Sequence, residues 1–320
     1  MDCLRWGLVG CGDIAKKRVA PALRDLENSD FVAVTRAKSE LTESFARQFG
    51  AKKWCRTSDE LVSDNEIDAV YIATPVYLHC DQTIAAAEAG KHVLCEKPMA
   101  MNLSECDRMI AACNASGVKL GIAYYRHFYP IVDRVKQIIK TGEIGKPVFV
   151  QINAFEYSSS PPGSERHWFV EKEKAGGGPM FDFGCHRIEV LLNVLNSVKY
   201  VKGFTANIAF DLEVEDTATA YLTFDCGANA ILNVTRASYE PADTLDIYGS
   251  KGSIHIPVLN GAVLTVQTHS GRRTEEHPPH SNIHQPLIAD FINAVLEDRA
   301  PSVGANTGRE VNRILELAYR

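Results

Sequence analysis

The sequence lacks the features that mark membrane-spanning, exported and nucleic-acid-binding proteins. It contains no run of about 18 apolar residues, so we expect no transmembrane helix and no membrane partner. The N-terminus has no basic segment followed by an apolar one, so we expect no signal peptide and a cytoplasmic protein. Basic side chains number 34 against 40 acidic ones, without a basic stripe, which argues against nucleic acid as a partner.

The cysteines also lack the spacing of a metal or disulfide framework. The chain has nine cysteines, an odd number, and no Cys-x-x-Cys pair. Several lie within apolar runs, as Cys95 does in Val-Leu-Cys-Glu. We therefore expect reduced, buried thiols and no bound metal.

What is present indicates two domains, since 320 residues can form two sizeable cores. Strand patterns alternate with helical patterns of 10–15 residues up to about residue 125, which is typical of a parallel sheet covered by helices on both faces. We predict strands at 4–9, 31–34, 68–74, 92–95 and 118–124, and helices at 13–26, 39–49, 76–89 and 103–116.

After residue 125 long alternating strands dominate, which predicts an α+β domain on a large, mostly antiparallel open sheet. The predicted strands are 148–155, 199–211, 217–224, 229–237, 243–249, 253–257 and 262–268, with one strong helix at about 183–196. We read the polar segment 156–179 as a mobile loop over a cleft. The domain boundaries are 1–125, 126–283 and 284–320, the last being helices that pack back on the first domain. Because one sheet face is free, we expect a homodimer or homotetramer.

A glycine turn opens the first domain. The strand at 4–9 ends in Gly10-Cys11-Gly12-Asp13-Ile14-Ala15, a Gly-x-Gly-x-x-Ala pattern that leads into a helix. Such a turn brings backbone N–H groups and a helix N-terminus to a pyrophosphate. Gly10 permits the tight turn and Gly12 removes a Cβ from the path of the phosphates. The alternative is an ordinary strand-to-helix turn.

The end of the second strand bears on the choice of cofactor. NAD sites usually place an acid there to bind the ribose 2′-hydroxyl. Here Thr35, Arg36 and Lys38 follow, and no acid occurs before Glu40. A planar guanidinium suits a 2′-phosphate, so we predict NADP(H) over NAD(H). The alternative is a solvated loop with ordinary basic residues.

Two further stretches carry chemistry. Glu96-Lys97-Pro98 follows a parallel strand directly, at the sheet edge where ligands bind, and Lys97 could stabilise negative charge on a substrate oxygen. Asp182 and His186, four residues apart after Gly176-Gly177-Gly178, can share a helical face. His186 suits proton transfer, whereas Asp182 could orient its ring or bind substrate. Structural alternatives are a surface lysine, an N-cap aspartate and a core histidine.

These stretches occur together in one known family. The chain resembles the Gfo/Idh/MocA oxidoreductases, the glucose–fructose oxidoreductase and inositol dehydrogenase group. The resemblance covers the whole chain and rests on these segments: Gly10-x-Gly12, Ala73-Thr74-Pro75 with His79, 89–98 with its Glu-Lys-Pro, and 176–186 with its Gly-Gly-Gly-x-x-x-Asp-x-Gly-x-His.

The resemblance implies a dinucleotide domain of Rossmann type followed by an open-sheet domain. It implies that Lys97, Asp182 and His186 line the reacting carbon, with His186 as acid/base. It adds cofactor contacts, which are Thr74, Pro75, His79, Glu96 and Arg126.

The sequence departs from the family at two places. Phe169 follows the loop Trp168 where the family often has arginine, and His127 stands where it often has another arginine. Tyr125, Arg126 and Trp168 are candidate neighbours of substrate or nicotinamide. The departures leave the identity of the substrate open.

We therefore predict an NAD(P)-dependent oxidoreductase acting on a secondary alcohol or carbonyl of a sugar, anhydrosugar or cyclitol. Two alternatives are a non-catalytic dinucleotide sensor and an enzyme that keeps its nucleotide bound for lyase or hydrolase chemistry.

Overall fold

A computed structural model describes residues 2–159, 163 and 167–320. The chain divides into two compact units. The first comprises Met1–Tyr125 and His280–Asn312, and the second comprises Arg126–Pro279 and Arg313–Arg320. The predicted C-terminal segment 284–320 is thus shared between the two units.

The first unit contains a six-stranded parallel sheet, as predicted. Its strand order is β3-β2-β1-β4-β5-β6, the order of dinucleotide-binding folds. Buried side chains run almost without interruption along β1 and β4, because a sheet covered on both faces hides every position. The two-residue β3 was not predicted, since two residues carry no periodicity. The strands are β1 (Leu4–Val9), β2 (Ser29–Thr35), β3 (Lys53–Trp54), β4 (Ala69–Ile72), β5 (His92–Cys95) and β6 (Leu120–Ile122).

The second unit contains an eight-stranded sheet in the order β14-β13-β12-β11-β7-β10-β9-β8. Only the central β7–β10 pair is parallel, so the prediction of a mostly antiparallel sheet is confirmed. The strands are β7 (Pro147–Tyr157), β8 (Val198–Ala206), β9 (Thr217–Phe224), β10 (Asn229–Thr235), β11 (Ala237–Gly249), β12 (Gly252–Ile256), β13 (Val263–Thr268) and β14 (Gly271–Glu276).

Ten α-helices lie within the described residues: α1 (Ala20–Asp25), α2 (Thr42–Phe49), α3 (Ser58–Val62), α4 (His79–Glu88), α5 (Leu103–Ala115), α6 (Pro130–Lys140), α7 (Lys172–Ala175), α8 (Cys185–Leu195), α9 (Gln285–Leu296) and α10 (Ala305–Ala318). Side-chain oxygens of Thr57 and Asn102 cap α3 and α5. π-helical turns, Ala15–Val19 and Met180–Gly184, precede α1 and α8.

Two predicted segments differ from the structure. The strand expected at 199–211 ends at Ala206, because the amides of residues 208–210 donate to the Asp216 carboxylate instead of a neighbouring strand. The segment 156–179 is not one loop: β7 reaches Tyr157, and helical turns cover 167–170 and 172–175. Residues 160–162 and 164–166 of that segment lie outside the described residues.

Side-chain alternation gives the large sheet one buried and one open face. On β7 the side chains of Val150, Ile152 and Ala154 are buried, whereas Asn153 points to the opposite face. Asn153 belongs to a hydrogen-bonded row across four strands, Thr219–Asn233–Asn153–Thr244, with each link 2.9 Å long. The open face is therefore polar along its centre.

Candidate functional site

The first unit gathers the predicted nucleotide residues other than Arg126 at one sheet edge, because the carboxyl ends of parallel strands meet there, whereas Arg126 belongs to the second unit. Gly10 has a φ of 101°, and a Cβ at this position would lie 2.6 Å from the carbonyl oxygen of Ala73. A Cβ at Gly12 would meet no protein atom within 4 Å. Asp13 and Ile14 begin the helix that follows. An open approach at Gly12 and the amides of a helix N-terminus fit the pyrophosphate of a dinucleotide.

Basic side chains lie beside this turn. Thr35 ends β2 and is buried, Arg36 is half-buried and Lys38 is exposed. Burial raises the pKa of the Cys11 thiol to about 12, and the charges of Arg36 and Lys16 act in the opposite direction. Arg36 is thus close enough to influence a group inside the glycine turn.

His79 holds two loops of the first unit together. Its Nδ1 lies 2.9 Å from the carbonyl oxygen of Pro98, and its Nε2 lies 2.9 Å from that of Thr74. The side chain is buried, and burial lowers its pKa although both carbonyl contacts act in the opposite direction. His79 therefore links the Thr74-Pro75 turn to the loop after β5, and both ring nitrogens already face the protein.

Glu96, beside Lys97, is the centre of a buried polar cluster. The Tyr71 hydroxyl donates to Oε1 at 2.8 Å, the Lys97 amide donates to Oε2 at 3.2 Å, and His284 Nε2 lies 3.5 Å from Oε1. Burial acts to raise the pKa of Glu96, but contacts with His284, Lys97 and Tyr71 hold it below its ordinary value. The His284 ring also contacts Tyr125, at 4.5 Å between centroids. The Lys97–Pro98 peptide is cis.

The second unit carries Asp182 and His186 on consecutive helical elements. Asp182 lies inside the π-helical turn, whose N-cap is Pro179, so the N-cap interpretation of Asp182 is wrong. His186 lies in the first turn of α8 and is 3% exposed. π-helical turns occur frequently at functional sites. The turn also makes the geometry between the two residues differ from the regular α-helical spacing assumed above.

Arg236 is a partner of Asp182 that the sequence did not indicate. It follows β10, and its Nη2 donates to Asp182 Oδ2 at 2.6 Å. Its side chain is 4% exposed, and its guanidinium carbon lies 5.7 Å from the ring centre of Phe169 and 5.8 Å from that of Phe183. This buried cation favours the ionised form of the Asp182 carboxylate.

The glycines before Asp182 serve packing. Gly176 ends α7 at a φ of 78°. A Cβ on Gly177 would lie 2.3 Å from the Tyr319 hydroxyl, and one on Gly178 would lie 1.9 Å from the carbonyl oxygen of Glu215. These glycines therefore allow close approach between segments of the second unit.

The turn that follows residue 125 is held both to α8 and to the loop between β12 and β13. In that loop, Asn260 Oδ1 accepts a hydrogen bond from Arg126 Nε at 3.2 Å. His127 Nδ1 lies 2.7 Å from Oε1 of the buried Glu189, whose pKa is raised by burial. Elsewhere in the unit the Trp168 ring stacks on Phe169, at 3.9 Å between centroids.

Four partners escaped the sequence analysis: Arg236, Glu215, Tyr319 and His284. Each lies 35 or more residues from the group it holds. No local spacing could signal such pairs, because only the folded chain brings them together.

Among residues 2–159, 163 and 167–320, no cluster of three or more histidine, cysteine or acidic side chains could hold a metal ion. None of the helices described is both long and apolar enough to cross a membrane. All nine cysteines are free.

The first unit is a parallel sheet with an open glycine turn. The unit that follows it in sequence carries an aspartate paired with a buried arginine, and a histidine on the same helical segment. Together these features define the class of pyridine-nucleotide oxidoreductases. The chain belongs to the GFO/IDH/MocA family. Residues 4–124 match its "Oxidoreductase family, NAD-binding Rossmann fold", and residues 132–255 match its C-terminal domain. The protein is an NAD(P)-dependent oxidoreductase.

Individual relatives agree. The chain is 29% identical to 1,5-anhydro-D-fructose reductase of Ensifer adhaerens, over 95% of this chain and 92% of the relative. It is 30% identical to trans-1,2-dihydrobenzene-1,2-diol dehydrogenase of Danio rerio, over 91% and 84%. A solved levoglucosan dehydrogenase, in complex with NADH and levoglucosan, matches with a TM-score of 0.88 at 26% identity, over 99% and 97%. These relatives favour a dehydrogenase over the sensor and lyase alternatives.

Proposed function

We propose that this oxidoreductase transfers a hydride between NADP(H) and a secondary alcohol or carbonyl of a sugar, anhydrosugar or cyclitol. The observation that carries the proposal is the Asp182–Arg236 pair on the same helical segment as His186, in the unit that follows a dinucleotide fold. The substrate class is supported by the relatives, which act on an anhydrosugar, a cyclic diol and levoglucosan.

In the oxidation direction His186 accepts the proton of the substrate hydroxyl. Lys97 donates to the substrate oxygen and stabilises the developing alkoxide. Asp182, kept ionised by Arg236, orients the histidine or binds a second substrate hydroxyl. The dinucleotide, which the turn of Gly10 and Gly12 would hold, would supply the hydride acceptor in oxidation and the hydride donor in reduction. Reduction runs the same proton steps in reverse.

The test is a screen of NADP⁺ and NADPH against sugars, ketoses, anhydrosugars and cyclitols, followed by His186→Ala on the best substrate. Removing a positioned acid/base lowers rate by about 10²- to 10⁴-fold. A His186→Ala enzyme with a kcat near wild type would refute the assignment. Tight dinucleotide binding without turnover of any substrate would favour the non-catalytic dinucleotide sensor instead.

For the cofactor, the proposal is that Arg36 and Lys38 bind the 2′-phosphate of NADP. The support is the basic end of β2 and the proximity of Arg36 to the glycine turn. A hydrogen bond to a charged group contributes about 1.5–3 kcal/mol, or about 10- to 100-fold in affinity. Arg36→Ala should therefore raise the KM for NADPH by about that factor and leave the KM for NADH unchanged. Lys52→Ala, an exposed cation paired with Asp30, is the matched control. A wild-type preference for NADH would contradict the proposal.

For the assembly, the proposal is a homodimer or homotetramer formed through the open face of the large sheet, in the cytoplasm. That face exposes Tyr200 and Phe204 of β8 and Tyr248 of β11 beside its polar row. The nine free thiols support a reducing compartment. Light scattering after size exclusion tests the assembly, and Phe204→Glu should shift the mass toward the monomer. If the wild-type protein is a monomer, the proposed assembly is excluded and the proposals on activity and cofactor are unaffected.

A further inference from the structure

A buried carboxylate lies at the start of helical segment 180–195. Glu215, two residues before β9, accepts a hydrogen bond from the Gly178 amide on Oε2 at 2.8 Å and from the Met180 amide on Oε1 at 3.2 Å. Pro179, between them, has no N–H. Glu215 thus binds every amide that residues 178–180 can offer, and it is 9% exposed.

Tyr319 completes this contact. Its hydroxyl donates to Glu215 Oε1 at 2.7 Å. The same hydroxyl lies so close to Gly177 that a Cβ there would be 2.3 Å away, and Gly178 is as tightly placed against Glu215 itself. Gly177, Gly178, the Glu215 carboxylate and the Tyr319 hydroxyl therefore pack tightly against one another.

A second attachment lies on the neighbouring strand. The Arg236 amide donates to the Asp216 carbonyl at 2.8 Å, next to Glu215, while its guanidinium binds Asp182. Two adjacent strand ends thus hold the same helical segment, one through its first amides and one through its carboxylate. Both attachments act on the stretch that carries Asp182 and His186.

The stability of the fold does not explain why an ionisable side chain, Glu215, occupies this position. Burial raises the pKa of Glu215, and the three hydrogen bonds act in the opposite direction. A group whose folded-state pKa is raised stabilises the fold below its unfolded-state pKa and loses that contribution as pH rises through the folded value. The ionised form is therefore the costly one for folding.

We propose that Glu215 and Tyr319 are positioning residues that fix the orientation of Asp182 and His186 for proton transfer. The inference rests on the roles proposed above for those two residues. A displacement of about 1 Å in a reacting group can cost about 100-fold in rate, so an attachment at the first turn of the segment influences kcat strongly. The glycine turn proposed to bind the dinucleotide belongs to the other unit, so we expect cofactor affinity to change little when Glu215 is altered.

The test compares Glu215→Gln with Glu213→Gln. Glutamine at 215 replaces one acceptor oxygen with an NH₂ donor, which then faces an amide or phenol donor. Glu213 is the matched control, since its carboxylate accepts from the Lys172 amide at 2.9 Å at the start of α7, which carries no proposed catalytic residue. We expect kcat to fall by about tenfold or more in Glu215→Gln only, with the Kd and KM for NADPH unchanged.

A kcat of Glu215→Gln within about threefold of wild type, or an equal fall in Glu213→Gln, would overturn the inference. If Glu215→Gln does not fold, Tyr319→Phe decides by the same threshold, because it removes one hydrogen bond and keeps the ring. His186→Ala separates the two proposals: if it is inactive while Glu215→Gln and Tyr319→Phe retain kcat, only the positioning inference fails.

Discussion

Replacing Arg236 with methionine would leave the Asp182 carboxylate without its buried cation. The guanidinium is 4% exposed, lies 2.6 Å from the carboxylate and packs between two phenylalanine rings. Removing one partner of a buried ion pair costs about 3–5 kcal/mol. Because the Asp182 side chain is 23% exposed, water screens part of the loss, and we expect the lower end, about 3 kcal/mol.

For a unit of this size about 1 kcal/mol corresponds to about 2–4 °C, so the Tm should fall by about 6–12 °C. Thermal unfolding measures this loss.

A double-mutant cycle with Asp182→Asn isolates the pair. If the residues act as a unit, the double variant should unfold at about the temperature of the worse single variant, because neither is left with an uncompensated charge. Strictly additive losses would refute the reasoning. So would an Arg236→Met enzyme with the Tm of the wild type.

Two further predictions concern the first unit. Gly10→Ala should lower the Tm and abolish dinucleotide binding, because the φ of Gly10 is 101° and an added Cβ would meet the Ala73 backbone. Gly12→Ala should keep the wild-type Tm and lower only the affinity for the dinucleotide, because an added Cβ there meets no protein atom within 4 Å. Equal losses of Tm in the two variants, measured by thermal unfolding, would contradict this prediction. His284→Gln should raise the pKa of Glu96. Because the pKa of the wild-type Glu96 carboxylate is lowered, this group stabilises the fold above its unfolded-state pKa, and that stabilisation is lost as the pH falls. The difference in Tm between wild type and variant should therefore widen from about pH 4 to about pH 6. A difference that stays constant with pH would exclude the pairing of His284 with Glu96.

The parallel sheet, the open antiparallel sheet and the family could all be predicted from the sequence. Strand β4 is a continuous apolar run that ends shortly before Pro75, and β1 is apolar except at Arg5 and ends at Gly10, so both give local signals. Gly10, Glu96-Lys97-Pro98 and His186 could be found because each lies in a compact motif. The sequence signal was weakest for β3, because a strand of two residues shows no periodicity and is defined only by its pairing with β2.

The sequence by itself thus determined the class of fold, the sheet edge proposed to bind the nucleotide and the residues proposed to do chemistry. Only the tertiary structure decided how those residues are held. Arg236 meets Asp182 across 54 residues, Tyr319 meets Glu215 across 104, and His284 reaches Glu96 from the far end of the chain. The physical reason is that a hydrogen bond or ion pair depends on distance in space, whereas a sequence pattern records only distance along the chain.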